Sequence, residues 1–211
     1  MKKLNKWFAC IALTLASVSG AHAGLISVNG TEVNSLDIGT SFEDFYQFDS
    51  PNSWSANTGL EVANQIAIFV ANVGNEFGIF TIYSDIGGVA GGGDNEVTGS
   101  GSVTFWEDAA EANLSFNYAA DKTDGFIVTE LFGDLWNVDY SFSNVYGIDG
   151  ITVYSFDSNG DAVVAQQITG VPATLNVNSI FSSNAVAVPA PSSIVLFMMA
   201  GLAILRIRSK R

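Results

Sequence analysis

The chain has 211 residues and sets 21 Asp and Glu against 8 Lys and Arg, a formal net charge of −13. That length fits one domain plus targeting segments. All the carboxylates lie between Glu32 and Asp161, where Lys122 is the one basic residue, and so acidic a stretch repels nucleic acid and anionic lipid and excludes both as its partners.

At the amino end, Lys2, Lys3 and Lys6 precede an apolar run from Trp7 to Val18, and Ala21-His22-Ala23 follows. This order of charged region, apolar region and small-residue motif predicts a secretory signal over residues 1–23, cut between Ala23 and Gly24. The apolar run is too short to span a bilayer as a retained anchor. Cys10 lies upstream of the cut and cannot become the lipid-bearing first residue of a lipoprotein. The one His (His22) and the one Cys (Cys10) leave with the signal. No Ser-His-Asp triad, Cys-His pair, imidazole zinc site or disulfide can then be built from what remains. A glycan hydrolase working with two carboxylates survives that exclusion.

Residues 24–184 read as one all-β domain of short β-rich runs separated by turns. The aromatic-rich run Phe42 to Phe48 comes first. Gln65 to Val73 and Phe77 to Tyr83 flank Gly74-Asn75-Glu76, which predicts a tight hairpin. In the second run Phe77, Ile79, Thr81 and Tyr83 share one parity and Phe80 and Ile82 the other, so the strand is expected to be central and covered on both faces. Ser84 to Gly101 is dense in glycine and reads as a long mobile loop. Strands follow at Ser102 to Trp106, Ala112 to Tyr118 and Gly125 to Phe132, and Trp106 to Leu114 is the nearest candidate for a short helix.

Trp136 to Tyr146 alternates polar with apolar. Val138, Tyr140, Phe142 and Tyr146 are expected to pack inward while Asn137, Asp139, Ser141 and Ser143 meet water. Ile151 to Phe156 and Ala162 to Ile168 flank Asp157-Ser158-Asn159-Gly160-Asp161, where Asn159-Gly160 predicts a two-residue type I′ turn. Thr174 to Phe181 adds a last strand. About nine strands at 8–12-residue spacing predict an antiparallel β-sandwich or jelly roll, large enough to need no disulfide.

Several residue groups are candidate sites, each with a plainer alternative. Asp157, Asn159 and Asp161 place oxygens at alternate positions, as a calcium loop begins, but the twelfth position is Ile168 where such a loop needs Glu; the turn reading is preferred. Gly91 to Glu96 and Asp121 to Asp124 are acid-bearing segments read as solvated loops. Gly87 to Gly93 lacks the Lys-Ser/Thr that would complete a phosphate cradle. Trp54, Trp106 and Trp136 are candidates for stacking on sugar rings, with core packing as the commoner role. Glu107, Asp108 and Glu111 form an acidic group that would need an opposing carboxylate roughly 5–9 Å away to act on a glycoside.

The carboxyl end, residues 185–211, has its own order. Val188-Pro189-Ala190-Pro191 is followed by Ser192-Ser193, by the uncharged stretch Ile194 to Leu205, and by a basic end carrying Arg206, Arg208, Lys210 and Arg211. Ile194 to Leu205 would make a helix of about 18 Å against a hydrocarbon core of about 30 Å. Snorkelling by Arg206 and Arg208 extends the match, which suits a transient anchor spanning 192–205. The basic cluster is expected to stay cytoplasmic, leaving the β domain outside.

This tail resembles the PEP-CTERM sorting signal of Gram-negative bacteria: a Val-Pro-Glu-Pro core, a short transmembrane helix and an Arg-rich end. Val188, Pro189 and Pro191 match the core. Ala190 departs from it, standing where the family has Glu, and bears on the efficiency of processing. The resemblance covers about 24 residues and implies recognition by an exosortase, a membrane cysteine transpeptidase, after export through the Sec machinery and signal peptidase. It also implies association with exopolysaccharide and biofilm matrix. The resulting expectation is an exported, non-enzymatic protein of the cell surface or extracellular matrix, structural or adhesive, with polysaccharide as a partner and no cofactor. The alternatives are a carboxylate-based glycan hydrolase and a calcium-stabilised carbohydrate-binding module.

Overall fold

The computed structural model describes residues 25–47, 56–104 and 114–180. In chain order these form β1 (Leu25–Val28), β2 (Thr31–Val33), β3 (Leu36–Asp37), α1 (Phe42–Tyr46), β4 (Gln65–Val73), β5 (Glu76–Tyr83), β6 (Gly91–Gly99), β7 (Ser102–Thr104), β8 (Ser115–Tyr118), β9 (Asp124–Phe132), β10 (Trp136–Tyr146), β11 (Gly150–Phe156), β12 (Ala162–Thr169) and β13 (Thr174–Ile180). One sheet has six strands in the order β2-β1-β13-β10-β6-β8; the other runs β12-β11-β4-β5-β9-β7, with β3 beside β4. The six-stranded sheet is antiparallel throughout. In the seven-stranded sheet β4 lies parallel to both β11 and β3, a departure from the antiparallel expectation.

The two sheets pack face to face. Ile26, Val28, Val138, Tyr140 and Val177 of one meet Ile66, Ile68, Ile79, Phe126 and Val128 of the other in a single buried cluster, the inward half of each period-2 strand pattern. Two buried hydrogen-bond sets staple the sheets through this core. Thr81 Oγ1 lies 3.3 Å from the Tyr140 hydroxyl, and the Tyr83 hydroxyl donates to Asn95 Oδ1. Each partner is thereby spared the cost of an unpaired buried polar atom.

The outer face of the seven-stranded sheet carries a second cluster. Phe69, Phe80, Ile82 and Ile127 lie under Phe42 and Tyr46 of α1 and under Ala56. Strand β5 sits between β4 and β9 and contributes Ile79 and Tyr83 to the first cluster and Phe80 and Ile82 to the second. The expectation of a central, doubly covered strand holds. So does the β4–β5 hairpin, where Val73 pairs with Glu76 across Gly74 and Asn75.

Four local expectations are corrected. Phe42 to Phe48 was expected as a strand, but Phe42–Tyr46 is helical. Ser41 Oγ accepts the Asp44 N–H at 3.0 Å, and Gln47 closes the turn in the left-handed region at φ 52. The cap satisfies one of the helix's orphan donors. The spacing of Phe42, Phe45 and Tyr46 puts all three rings on the side facing Phe80, too short a run to register as helical periodicity.

The glycine-dense segment is a loop only as far as Ala90; Gly91–Gly99 is a strand inside the six-stranded sheet. Glycine there answers to close approach. A Cβ on Gly91 would stand 2.4 Å from the Tyr118 hydroxyl oxygen, and one on Gly92 2.2 Å from the Phe116 carbonyl oxygen.

The type I′ turn is elsewhere. At 159–160 only Gly160 has positive φ. Asp157 Oδ1 accepts the N–H groups of Asn159 at 2.8 Å and Asp161 at 3.0 Å, and Gly160 N–H donates to the Asp157 carbonyl. These bonds favour a longer turn with glycine at its left-handed position. The two-residue Asn-Gly turn is at Asn29 (φ 49) and Gly30 (φ 82), joining β1 to β2 where Val28 pairs with Thr31.

Tyr146, expected inside, is 50% exposed. Ser143 pairs with Asp94 but Tyr146 with Gly92, so β10 carries one more residue than β6 across this interval. Asn144 takes φ 53 there. An extra residue reverses the parity of everything beyond it: Val145 turns into the core and Tyr146 turns out.

Candidate functional site

The outer face of the six-stranded sheet is built from the solvent-facing half of β10 and its neighbours. Strand register sets Asn137 opposite Asn178, Asp139 opposite Asn176 and Ser141 opposite Thr174 on one side. On the other it sets Asp139 against Thr98, Ser141 against Glu96 and Ser143 against Asp94, with Ser115 beyond. Amides, hydroxyls and carboxylates thus tile the face, and many hold one another. Asn176 Nδ2 donates at 2.7 Å to both Asn137 Oδ1 and Asp139 Oδ1, and Asn178 Nδ2 donates to Asn176 Oδ1 at 2.7 Å. Asn178 Oδ1 is shielded from solvent and has no hydrogen-bond partner among the described residues.

Toward the β8 edge, Asp94 accepts from Ser115 Oγ and Asn144 Nδ2, each at 2.6 Å. The Ser115 bond first, then the Asn144 bond, holds the Asp94 carboxyl below its ordinary value, because both stabilise the charged form. One row along the sheet, Tyr146, Gly92 and Asn117 stand in line across three strands. The Tyr146 hydroxyl donates to Asn117 Oδ1 at 2.9 Å. To reach Asn117 the phenol must cross Gly92, and its Cε1 would lie 3.1 Å from a Cβ built there. The ring edge therefore passes close to the Gly92 backbone, and half of the residue stays open to solvent. Among the described residues, Tyr146 is the one large hydrophobic side chain exposed on the strands of this sheet.

The residues singled out from sequence fall differently. Asp157 turns its carboxylate onto the backbone of its own turn, as described above, and Asn159 Nδ2 adds a bond at 3.4 Å to Asp157 Oδ2. Among the described residues no group of three or more His, Cys, Asp or Glu is gathered to hold a metal ion. Gly91 to Glu96 is strand rather than solvated loop. Asp121 accepts the Gly87 N–H at 2.9 Å, and Asp124 is buried, accepting the Gly125 N–H at 2.7 Å. Neither is merely solvated. Trp136 is 4% exposed and packs on Phe77 with ring centroids 5.9 Å apart, so it is a core residue and offers no face to a sugar.

Trp54, Trp106, Glu107, Asp108 and Glu111 lie outside the described residues, as do the signal residues Ala21, Ala23 and Gly24. The sorting motif Val188 to Pro191 and the basic end at Arg206, Arg208, Lys210 and Arg211 lie outside them too. Among the described residues no helix is long and apolar enough to cross a membrane.

The sequence pattern places Tyr146 inside and does not single out Asn117 or Asn144, although a signal is present. The alternation of β10 stumbles at Ser143-Asn144, two polar residues in succession, which is where the extra residue enters. Burial pushes the hydroxyls of Tyr83, Tyr118 and Tyr140 above their ordinary value, because it disfavours the charged form. No family model, curated protein or solved structure matches this chain.

Proposed function

We propose that this chain is an exported, non-enzymatic β-sandwich that works structurally or adhesively at the cell surface or in the extracellular matrix of a Gram-negative bacterium, in contact with polysaccharide. Residues 1–23 serve as its export signal. Residues 185–211 serve as its sorting signal, anchoring it transiently by a helix over 192–205 until an exosortase acts at the Val188-Pro189-Ala190-Pro191 motif. The sorting half of this reading rests on the sequence pattern of the tail. The adhesive half rests on one observation: the outer face of the six-stranded sheet is tiled with amides, hydroxyls and carboxylates and carries the exposed ring of Tyr146. Such a surface supports contact with a polyhydroxylated polymer better than burial against an apolar partner.

Fractionation of a Gram-negative host, with and without an exosortase, tests the sorting half. With the enzyme, immunoblots should find the protein shortened at both ends and located at the surface or in the medium. Without it, the protein should keep its carboxyl end and fractionate with the inner membrane. Full-length protein in the cytosol of both hosts would overturn the reading.

A further inference from the structure

We infer that the strip formed by Tyr146, Asn117, Asp94 and Asn144 binds an uncharged pyranose unit of a glycan, with the Tyr146 ring as its stacking floor. The inference rests on the polysaccharide contact proposed above and adds to it a place and a sugar class.

The first support is the way the ring is presented. The extra residue in β10 turns Tyr146 outward, and Gly92 leaves room for the phenol to lie across the neighbouring strand. The bond to Asn117 Oδ1 at 2.9 Å pins its far end. The phenol is thus held at its hydroxyl end beside the Gly92 backbone while half of the residue stays open to solvent. A pyranose presents its C–H groups on one face, and an immobilised aromatic ring receives them with little further loss of side-chain freedom.

The second support is the hydrogen-bonding capacity left over around the ring. Asn117 uses Oδ1 for the tyrosine and retains its Nδ2 donors. Asn144 uses Nδ2 on Asp94 and retains Oδ1 as an acceptor. The two Asp94 oxygens hold one bond each, to Ser115 and Asn144, and keep further lone pairs. Sugar hydroxyls both donate and accept, so neighbouring donors and acceptors that are already locked in place match them. Asp94 stands two residues from Gly92 on β6, about 6.8 Å along the strand.

Charge sets the class. Asp94, Glu96 and Asp139 share this face, and none of the described strands of the sheet carries a Lys or Arg. A uronate or sulfated sugar would meet like charge there, whereas a neutral sugar would not.

The full chain in mild detergent, titrated calorimetrically with dextran, mixed-linkage glucan, galactomannan and polygalacturonate at about 0.15 M salt, tests the assignment. At least one neutral polymer should bind and polygalacturonate should not. Tyr146→Ala should weaken binding by about tenfold or more, while Tyr146→Phe, which keeps the ring, should stay within about threefold of the parent. Gln167→Ala, exposed on β12 of the other sheet, should leave binding unchanged, and circular dichroism should report the same fold in all variants. Neutral-polymer binding that survives Tyr146→Ala would overturn the site while leaving polysaccharide contact standing. Preference for polygalacturonate would overturn the sugar class, and no binding to any neutral polymer would overturn the inference without touching the export reading, which the fractionation decides.

Discussion

Phe69 and Phe80 face each other across β4 and β5 and stack with ring centroids 4.7 Å apart and planes 11° from parallel. Phe80 is also the ring on which α1 lands: Phe42, Phe45 and Tyr46 approach it with centroids at 6.1, 5.6 and 6.4 Å. One side chain thus ties a strand pair to the helix that covers it.

Phe80→Ala should therefore cost about 3–5 kcal/mol, the range for deleting a fully buried aromatic ring and leaving its cavity. Phe80→Leu should cost less, because more of the volume stays filled. Urea denaturation followed by fluorescence measures both, and a loss below about 1 kcal/mol for the alanine variant would show that α1 does not depend on this ring.

Gly92→Ala should destabilise by about 1–3 kcal/mol, as overpacking does. The new Cβ would stand 2.2 Å from the Phe116 carbonyl oxygen, which is backbone and cannot swing aside. Gly93→Ala should be milder, since its nearest neighbour is the Val145 side chain at 3.0 Å. Thermal melts of the two variants side by side check the order, and equal melting temperatures would contradict it.

Alkaline pH should unfold the protein through its buried tyrosines. Burial raises the hydroxyls of Tyr83 and Tyr140 in the folded state, so above about pH 10 the unfolded chain ionises them while the folded one does not. The unfolded state then binds fewer protons, and stability falls as pH rises, by up to about 1.4 kcal/mol per pH unit for each tyrosine. Denaturation midpoints between pH 8 and pH 12 should show this decline, and Tyr140→Phe should flatten it. A flat profile in the parent would refute the assignment.

Salt should stabilise the protein. All 21 carboxylates fall between Glu32 and Asp161 with Lys122 as the one basic residue among them, and screening relieves their mutual repulsion. Because Asp157 directs Oδ1 to its own turn, sodium chloride and calcium chloride at matched ionic strength should raise the melting temperature alike. A rise of several degrees specific to calcium would point to a bound ion.

Much of the fold was legible where the physics is local. The bounds of β4 and β10 coincide with the runs read from sequence, and β5 was recognisable as doubly covered from Phe80 and Ile82 standing opposite Ile79 and Tyr83. The glycines of β6 were misleading because glycine marks a free loop and a crowded strand alike, and only the Phe116 carbonyl and the Tyr118 hydroxyl distinguish the two. The two Asn-Gly pairs illustrate the same limit: Asn29-Gly30 makes the type I′ turn, whereas Asp157, two residues upstream of Asn159, captures the other pair for a longer one.

By itself the sequence determined the separation of charge between the ends and the middle, the absence of His and Cys chemistry after residue 23, and the period-2 strands, since each depends on residue identity or on neighbours along the chain. Tertiary structure alone decided that Tyr146 points outward, that Gly92 lies beneath it and that Asn117 holds its hydroxyl. Those outcomes follow from the pairing of β10 with β6 and of β6 with β8, where one extra residue reverses which face a side chain occupies.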